Sequence, residues 1–265
     1  MKVNSQAMTL LLLVAGFSQT QSVPKSDQAA PEKSIGTQAA ASGQGANAAP
    51  AEELKAVLAQ MNQGAAKFQS LQADFDWENF DKLIKETDVQ KGQAYFRRKG
   101  KDKDLEALFN FNAASGGKES LSKQALYKDG KISLYEPKIN RITEREVGKN
   151  KADVDAFLSL GLGGRGDDLA ASFAVTWQGW ETVEGVKTAK LEVTGKSPSI
   201  QKVFSKAVLW IDPERDIALK QQFFQTSGDY RLMRYHNIKF NDKVSENVFR
   251  LKTTGTPEIV RLHAD

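Results

Sequence analysis

Leu71-Gln-Ala-Asp-Phe-Asp-Trp77 alternates without a break. Leu71, Ala73, Phe75 and Trp77 fall on one side of an extended chain, and Gln72, Asp74 and Asp76 fall on the other. Gly92-Gln-Ala-Tyr-Phe-Arg-Arg98 and Val203-Phe-Ser-Lys-Ala-Val-Leu-Trp-Ile211 are further strands rich in apolar and aromatic groups. A sheet built from such strands must bury its apolar face against something. Only a few short helical patterns accompany them, so the sheet is expected to curl on itself. An apolar hollow inside it suggests a carrier.

Working outward, residues 51–70 carry Leu54, Val57, Leu58, Met61, Ala65 and Phe68 at helical spacing, behind Pro50. Strands are predicted at 71–77, 89–98 and 105–112, with 97–103 as a basic loop. Lys128-Asp-Gly-Lys131 is a tight hairpin turn between 124–127 and 132–135, because Asp-Gly tolerates positive φ. Strand resumes at 141–147. Asn150 is placed to cap a helix carrying Val154, Phe157 and Leu158, and Asp167 or Asp168 to cap a second one through Phe173. Strands return at 174–180, 187–194, 203–212, 217–225, 229–240 and 248–251. The order is helix, about five strands, two helices, about five strands. It predicts an α+β fold whose antiparallel sheet curves round a helical plug.

The chain has 265 residues and no cysteine, with 37 basic and 33 acidic residues, a formal net charge of +4. That mild, dispersed excess does not argue for nucleic acid. Met1-Lys2 and the apolar run at 8–17 read as a secretory signal (1–22), too short for a span of ~20 residues. Residues 23–50 are Ala, Gln, Ser, Gly and Pro with almost no large apolar side chain, the composition of a flexible linker. The folded domain is expected at 51–265. Without cysteine there is no disulfide and no anchor point for a lipoprotein lipid. The expectation is a soluble, untethered periplasmic protein.

Signals for catalysis are weak. Gly161-Leu-Gly-Gly-Arg-Gly166 matches G-x-G-x-x-G. A dinucleotide site needs that motif between a strand and a helix of a parallel unit. Here a helix precedes it, so it reads as a joint between two short helices. His236 and His263 are the two histidines, and neither has companions at metal-ligand spacing. His236 shares a predicted strand face with Tyr230, Leu232, Arg234, Ile238 and Phe240. No G-x-S-x-G and no Cys nucleophile is present. The expectation is no enzyme, no cofactor and no metal.

The order of pieces resembles the periplasmic outer-membrane lipoprotein carrier family, the LolA-like proteins. Phe68-Gln-Ser-Leu-Gln-Ala-Asp-Phe75, the strand at 92–98, Tyr127-Lys-Asp-Gly-Lys-Ile-Ser-Leu-Tyr-Glu-Pro137 and Leu209-Trp-Ile-Asp-Pro213 carry it. The helical region 157–173 and the ending from Tyr235-His-Asn-Ile-Lys-Phe to Val248-Phe-Arg-Leu251 also fit. The resemblance implies an incomplete antiparallel barrel closed by a lid of short helices. It implies that acyl chains of lipoproteins, or another lipid, are held inside and delivered toward the outer membrane. Inner-membrane release machinery and an outer-membrane receptor are the implied partners of a monomer. It also implies a basic lock at the end of the second strand, holding the lid shut through lid backbone. Arg98 matches that position, and Lys99 stands where the family usually has Pro. That departure leaves room for Arg97 to take the part, or for no lock at all.

Strand alternation nominates Phe75, Trp77, Ala94, Phe96, Leu108, Ile132, Leu134, Leu209 and Ile211 as cavity wall, with Phe157, Leu158 and Phe173 from the lid. The competing expectation is a sensing or protein-binding module on the same fold, its interior filled by its own side chains.

Overall fold

The computed structural model describes residues 48–99, 104–115 and 118–262. The signal expected at 1–22 and all but the last three residues of the linker expected at 23–50 lie outside these residues, as does His263.

Helix α1 runs Ala48–Lys67, starting before the expected boundary. Pro50 sits in its first turn, where an amide hydrogen has no intrahelical partner to lose. Val57, Met61 and Ala65 form its buried stripe, and Phe68 follows just beyond its end. The side chain of Asn241 closes this end: it donates to the Lys67 carbonyl (2.9 Å) and accepts from the Gln69 amide (2.8 Å). Strand can therefore begin at once.

Strands β1 (Ser70–Asp81), β2 (Glu86–Lys99), β3 (Asp104–Ser115), β4 (Lys118–Lys128), β5 (Lys131–Glu136) and β6 (Arg141–Glu146) follow. The short helices α2 (Lys151–Leu158) and α3 (Gly166–Ser172) interrupt. Next come β7 (Phe173–Val183), β8 (Val186–Gly195), the one-turn α4 (Pro198–Gln201), β9 (Lys206–Asp212), β10 (Ile217–Phe224), β11 (Tyr230–Phe240) and β12 (Glu258–Leu262). The twelve strands of the described residues form one sheet in the order β12-β6-β5-β4-β3-β2-β1-β11-β10-β9-β8-β7. It is a curved, mostly antiparallel sheet, and its outer strands β12 and β7 do not pair with each other, so no closed barrel forms. Within β1–β6 and within β7–β11 sequential strands pair antiparallel, β12 adds in parallel to β6, and the halves join where β1 pairs with β11, Leu71 opposite Phe240 through Phe80 opposite Tyr230. One apolar cluster fills the concave side, where α1, α2 and α3 pack.

The Asp-Gly hairpin forms as read: Asp129 and Gly130 take φ of 52° and 69°, and Lys128 pairs with Lys131. Four local readings are corrected. Residues 203–205 are not strand, because Pro198 and the Ser197 cap start α4 and delay β9 to Lys206. Residues 97–99 belong to β2 rather than to a loop. Residues 248–251 are not strand either: a 3-10 turn at Glu246–Val248 leads to buried Phe249, and the last strand forms at Glu258–Leu262, parallel to β6. The face assigned to His236 is broken by a bulge. Asn237 takes φ 51°, so Met233 and Tyr235 face the core before it while Ile238 and Phe240 pack on the core after it.

The convex side of β3 to β6 is covered by the C-terminal segment. The Lys252 amide donates to Gln124 (2.7 Å), the Thr254 amide to the Tyr135 hydroxyl (3.2 Å), and Asn140 to the Thr256 carbonyl (3.2 Å).

Candidate functional site

Under the lid lies an apolar cavity of about 80 Å³. Strand alternation brings Trp77 of β1, Ala107, Phe109 and Phe111 of β3, Tyr127 of β4 and Ile132 of β5 to its wall. The other half of the sheet contributes Gln221 and Phe223 of β10 and Met233 and Tyr235 of β11. Phe157 and Leu158 of α2, Leu162 of the interhelical loop, and Val203 and Phe204 after α4 form the cover. Aromatic rings make up much of the boundary. Phe157 lies 5.7 Å from Phe223 and 6.1 Å from Phe204, and Phe204 and Phe223 meet edge to face at 5.4 Å.

Four of the twelve nominated wall residues touch this space: Trp77, Ile132, Phe157 and Leu158. Seven others lie in the same apolar cluster without reaching the cavity. Phe75 and Phe96 pack behind the wall against Phe111 (5.3 Å) and Phe109 (5.2 Å). Ala94 sits between Ala73 and Phe109 in the ladder, and Leu209 and Ile211 are buried on β9. Phe173 stacks on Phe204 at 6.3 Å, and Leu134 lies toward the open groove beside Val89 and Lys123. Leu108 is a correction. It is buried without reaching the cavity, on the face it shares with Gln124, while Phe109 takes the concave face. Both faces of β3 are covered, so apolar character alone did not reveal its parity.

Tyr127, Phe204, Phe223 and Tyr235 were missed. Tyr127 and Phe223 sat in predicted strands without being assigned inward. Phe204 was counted as strand and instead follows a helical turn.

The lid is tied down by a small set of polar contacts at its rim. Arg98 at the end of β2 donates from Nη2 to the Gly163 carbonyl at 3.0 Å. Arg97 points the other way: its Nε bonds Glu106 and its guanidinium lies 4.3 Å from the Phe249 ring, under the C-terminal segment. Gln221 donates to the Leu160 carbonyl and accepts from the Tyr235 hydroxyl (3.2 Å). Leu162 bridges Ile217, and the Gly163 amide donates to the Asp216 carbonyl at 3.0 Å. On the far side of the lid, the Tyr127 hydroxyl donates to Asp155 of α2 at 2.6 Å. Burial and this carboxylate together raise the Tyr127 phenol well above its usual range.

The glycine motif serves close approach. Gly163 takes φ 68°, and a Cβ there would lie 2.4 Å from the Phe68 ring. A Cβ on Gly166 would lie 2.2 Å from the Leu58 carbonyl oxygen. The joint is packed against α1. No strand precedes it, so the arrangement a dinucleotide site requires does not form.

Beneath the joint, Asp216 is fully buried with a left-handed φ of 57°. Among the described residues neither of its carboxylate oxygens has a hydrogen-bond partner. Burial pushes its carboxyl up to about 9, against the opposing pull of the Arg98 guanidinium.

The fold has counterparts among solved structures. The chain is similar in structure to LolA superfamily proteins. One from Nitrosomonas europaea aligns at 12% identity over 75% of this chain and 97% of its own, with a TM-score of 0.38. A DUF1329 family protein from Desulfovibrio piger aligns at 16% identity over 76% and 97%, with a TM-score of 0.45. A chain of the Pseudomonas aeruginosa MucA/MucB complex aligns at 14% identity over 76% of this chain and 61% of its own, with a TM-score of 0.44. No family model and no curated protein matches the sequence. Among the described residues no helix is long and apolar enough to cross a membrane.

Proposed function

We propose that this protein is an exported, periplasmic carrier that shelters the acyl chains of lipoproteins, or of another lipid, beneath the lid formed by α2 and the joint that follows it, and that it works by sequestration rather than chemistry. The observation carrying this reading is an aromatic-lined cavity whose cover is fastened at its rim by a few polar bonds. A space of about 80 Å³ is smaller than the roughly 150 Å³ that admits benzene. An acyl chain needs more room than that, so its entry widens the space as the lid lifts and the Phe157, Phe204 and Phe223 rings part. The energetics favour that exchange. A charge-assisted hydrogen bond such as Arg98 to Gly163 contributes about 1.5–3 kcal/mol. Each buried CH₂ gains ~0.8 kcal/mol, on the order of 10 kcal/mol for a long chain. Transfer to the outer membrane then needs a receptor that competes for the chain as the lid closes again.

Titration with cis-parinaric acid tests the reading. Saturable fluorescence gain is expected, weakened at least tenfold by Phe157→Asp, which puts a charge on the cover. Failure of the native protein to bind any acyl probe would reject a carrier.

The compactness of the cavity favours a second reading, a sensing or protein-binding module whose interior is filled by its own rings. Native-source protein bringing down a protein partner with no acyl species by mass spectrometry would decide for that module.

A further inference from the structure

Asp216 lies where three parts of the molecule converge. Its backbone carbonyl accepts the Gly163 amide of the lid joint. Gly64 of α1 leans on its side chain, so closely that a Cβ at Gly64 would come within 2.5 Å of the Asp216 Cβ. Arg98 of β2, whose guanidinium acts on the carboxyl, places its Nη2 on the Gly163 carbonyl. The surrounding charges are otherwise engaged or turned outward. In the joint and the start of α3, Arg165 pairs with Asp167 at 3.0 Å, and Asp168 is exposed. In the turn before β10, Arg215 pairs with Asp212 at 2.6 Å, and Glu214 is exposed. On α1, Lys67 is exposed.

A carboxylate buried without donors is costly, and the neutral acid is the form that such a site tolerates. A negative charge there would compete with the Gly163 carbonyl for the Arg98 guanidinium. The neutral acid leaves that bond intact. Gly163 and Gly166 pack the joint against Phe68 and α1, so the joint and α1 together cover Asp216, and lifting them as a unit lets water solvate it.

We propose that Asp216, kept neutral under the closed lid, leaves Arg98 free to hold the joint, and that it couples opening of the lid to release of a proton. The proton leaves the carboxyl for solvent as the cover lifts, and returns when it closes. The closed state thus binds one more proton than the open state over the interval between the ordinary carboxylate range and about 9. Within it, opening becomes up to tenfold more favourable for each unit of rising pH. Below that interval both states are protonated, and above it both are ionised, so the dependence vanishes at each end. This inference rests on the lid being movable, as the carrier reading requires, yet it makes a separate measurement possible.

The test is amide hydrogen exchange of Gly163 by NMR between pH 5 and 8, corrected for the intrinsic base catalysis of exchange. The native opening constant is expected to rise several-fold to tenfold per pH unit. In Asp216→Asn it is expected to be smaller and independent of pH. An equal slope in the variant, or a flat native profile, overturns the proposal. Should the Asn variant not fold, carbon NMR of the native Asp216 carboxyl decides: titration above pH 7 supports the coupling, and titration in the ordinary carboxylate range overturns it. Binding of cis-parinaric acid is followed in the same samples. A pH-coupled joint without acyl binding sinks the carrier and leaves the coupling standing, whereas acyl binding with a flat profile does the reverse.

Discussion

Arg97 and Arg98 are adjacent in sequence and serve opposite faces of one strand. Arg97 is a structural ion, buried with Glu106 and capped by Phe249. Arg98 reaches the lid joint. The period-two rule separates their roles, since Arg98 shares its face with Phe96 and Ala94. Arg98→Leu removes a bond that works against the guest, so acyl chains are expected to stay longer. The dissociation rate of cis-parinaric acid should fall roughly 10- to 100-fold, the equivalent of about 1.5–3 kcal/mol. A rate equal to that of the native protein would show that Arg98 holds nothing shut. The same rule cannot be read at Leu108 and Phe109, because both are apolar: Leu108 is buried on one face and Phe109 packs on the core from the other. Where both faces of a strand are covered, alternation has no polar partner to reveal it.

The lid joint is the element whose sequence misleads most readily. Its glycines match a phosphate-binding pattern, but what they provide is room for α1. Gly163→Ala combines an unfavourable φ with a clash on the Phe68 ring, and about 2–4 kcal/mol of stability is expected to be lost. Gly148→Ala is the control: φ is also positive, at 51°, but nothing lies within 4 Å of the added carbon, so only the backbone cost of about 1 kcal/mol remains. Urea midpoints of the two variants check the pair, and equal shifts would mean that the contact with Phe68 is unimportant. Other elements were legible to different degrees. The helix stripe from Val57 to Phe68 and the Asp-Gly turn were plain because each depends on neighbours in sequence. Strand β12 was not, because a five-residue exposed edge strand is held only by a parallel partner more than a hundred residues away.

At the scale of the whole molecule, one buried acid shapes the response to pH. The Asp216 carboxyl is raised above its unfolded value, so its contribution favours the native state below the ordinary carboxylate range. That contribution is lost as pH climbs toward about 9, by up to about 1.4 kcal/mol per pH unit. Stability measured from pH 5 to 8 should therefore decline less in Asp216→Asn than in the native chain, and parallel profiles would contradict this. Curvature, the helical plug and the order of elements follow from the sequence because many strands with one apolar face leave few ways to bury it. The volume left inside does not follow, since it depends on how rings such as Phe157 and Phe223 meet across distant elements.

The seam between β1 and β11 has a consequence for how the chain matures. A strand near residue 75 finds its second neighbour only after residue 235 has emerged from the ribosome. A nascent chain shorter than that lacks the bridge between its halves and remains incomplete. In the exported carrier proposed above, such late closure would keep the chain open until most of it is made, because long-range pairing is slow to form.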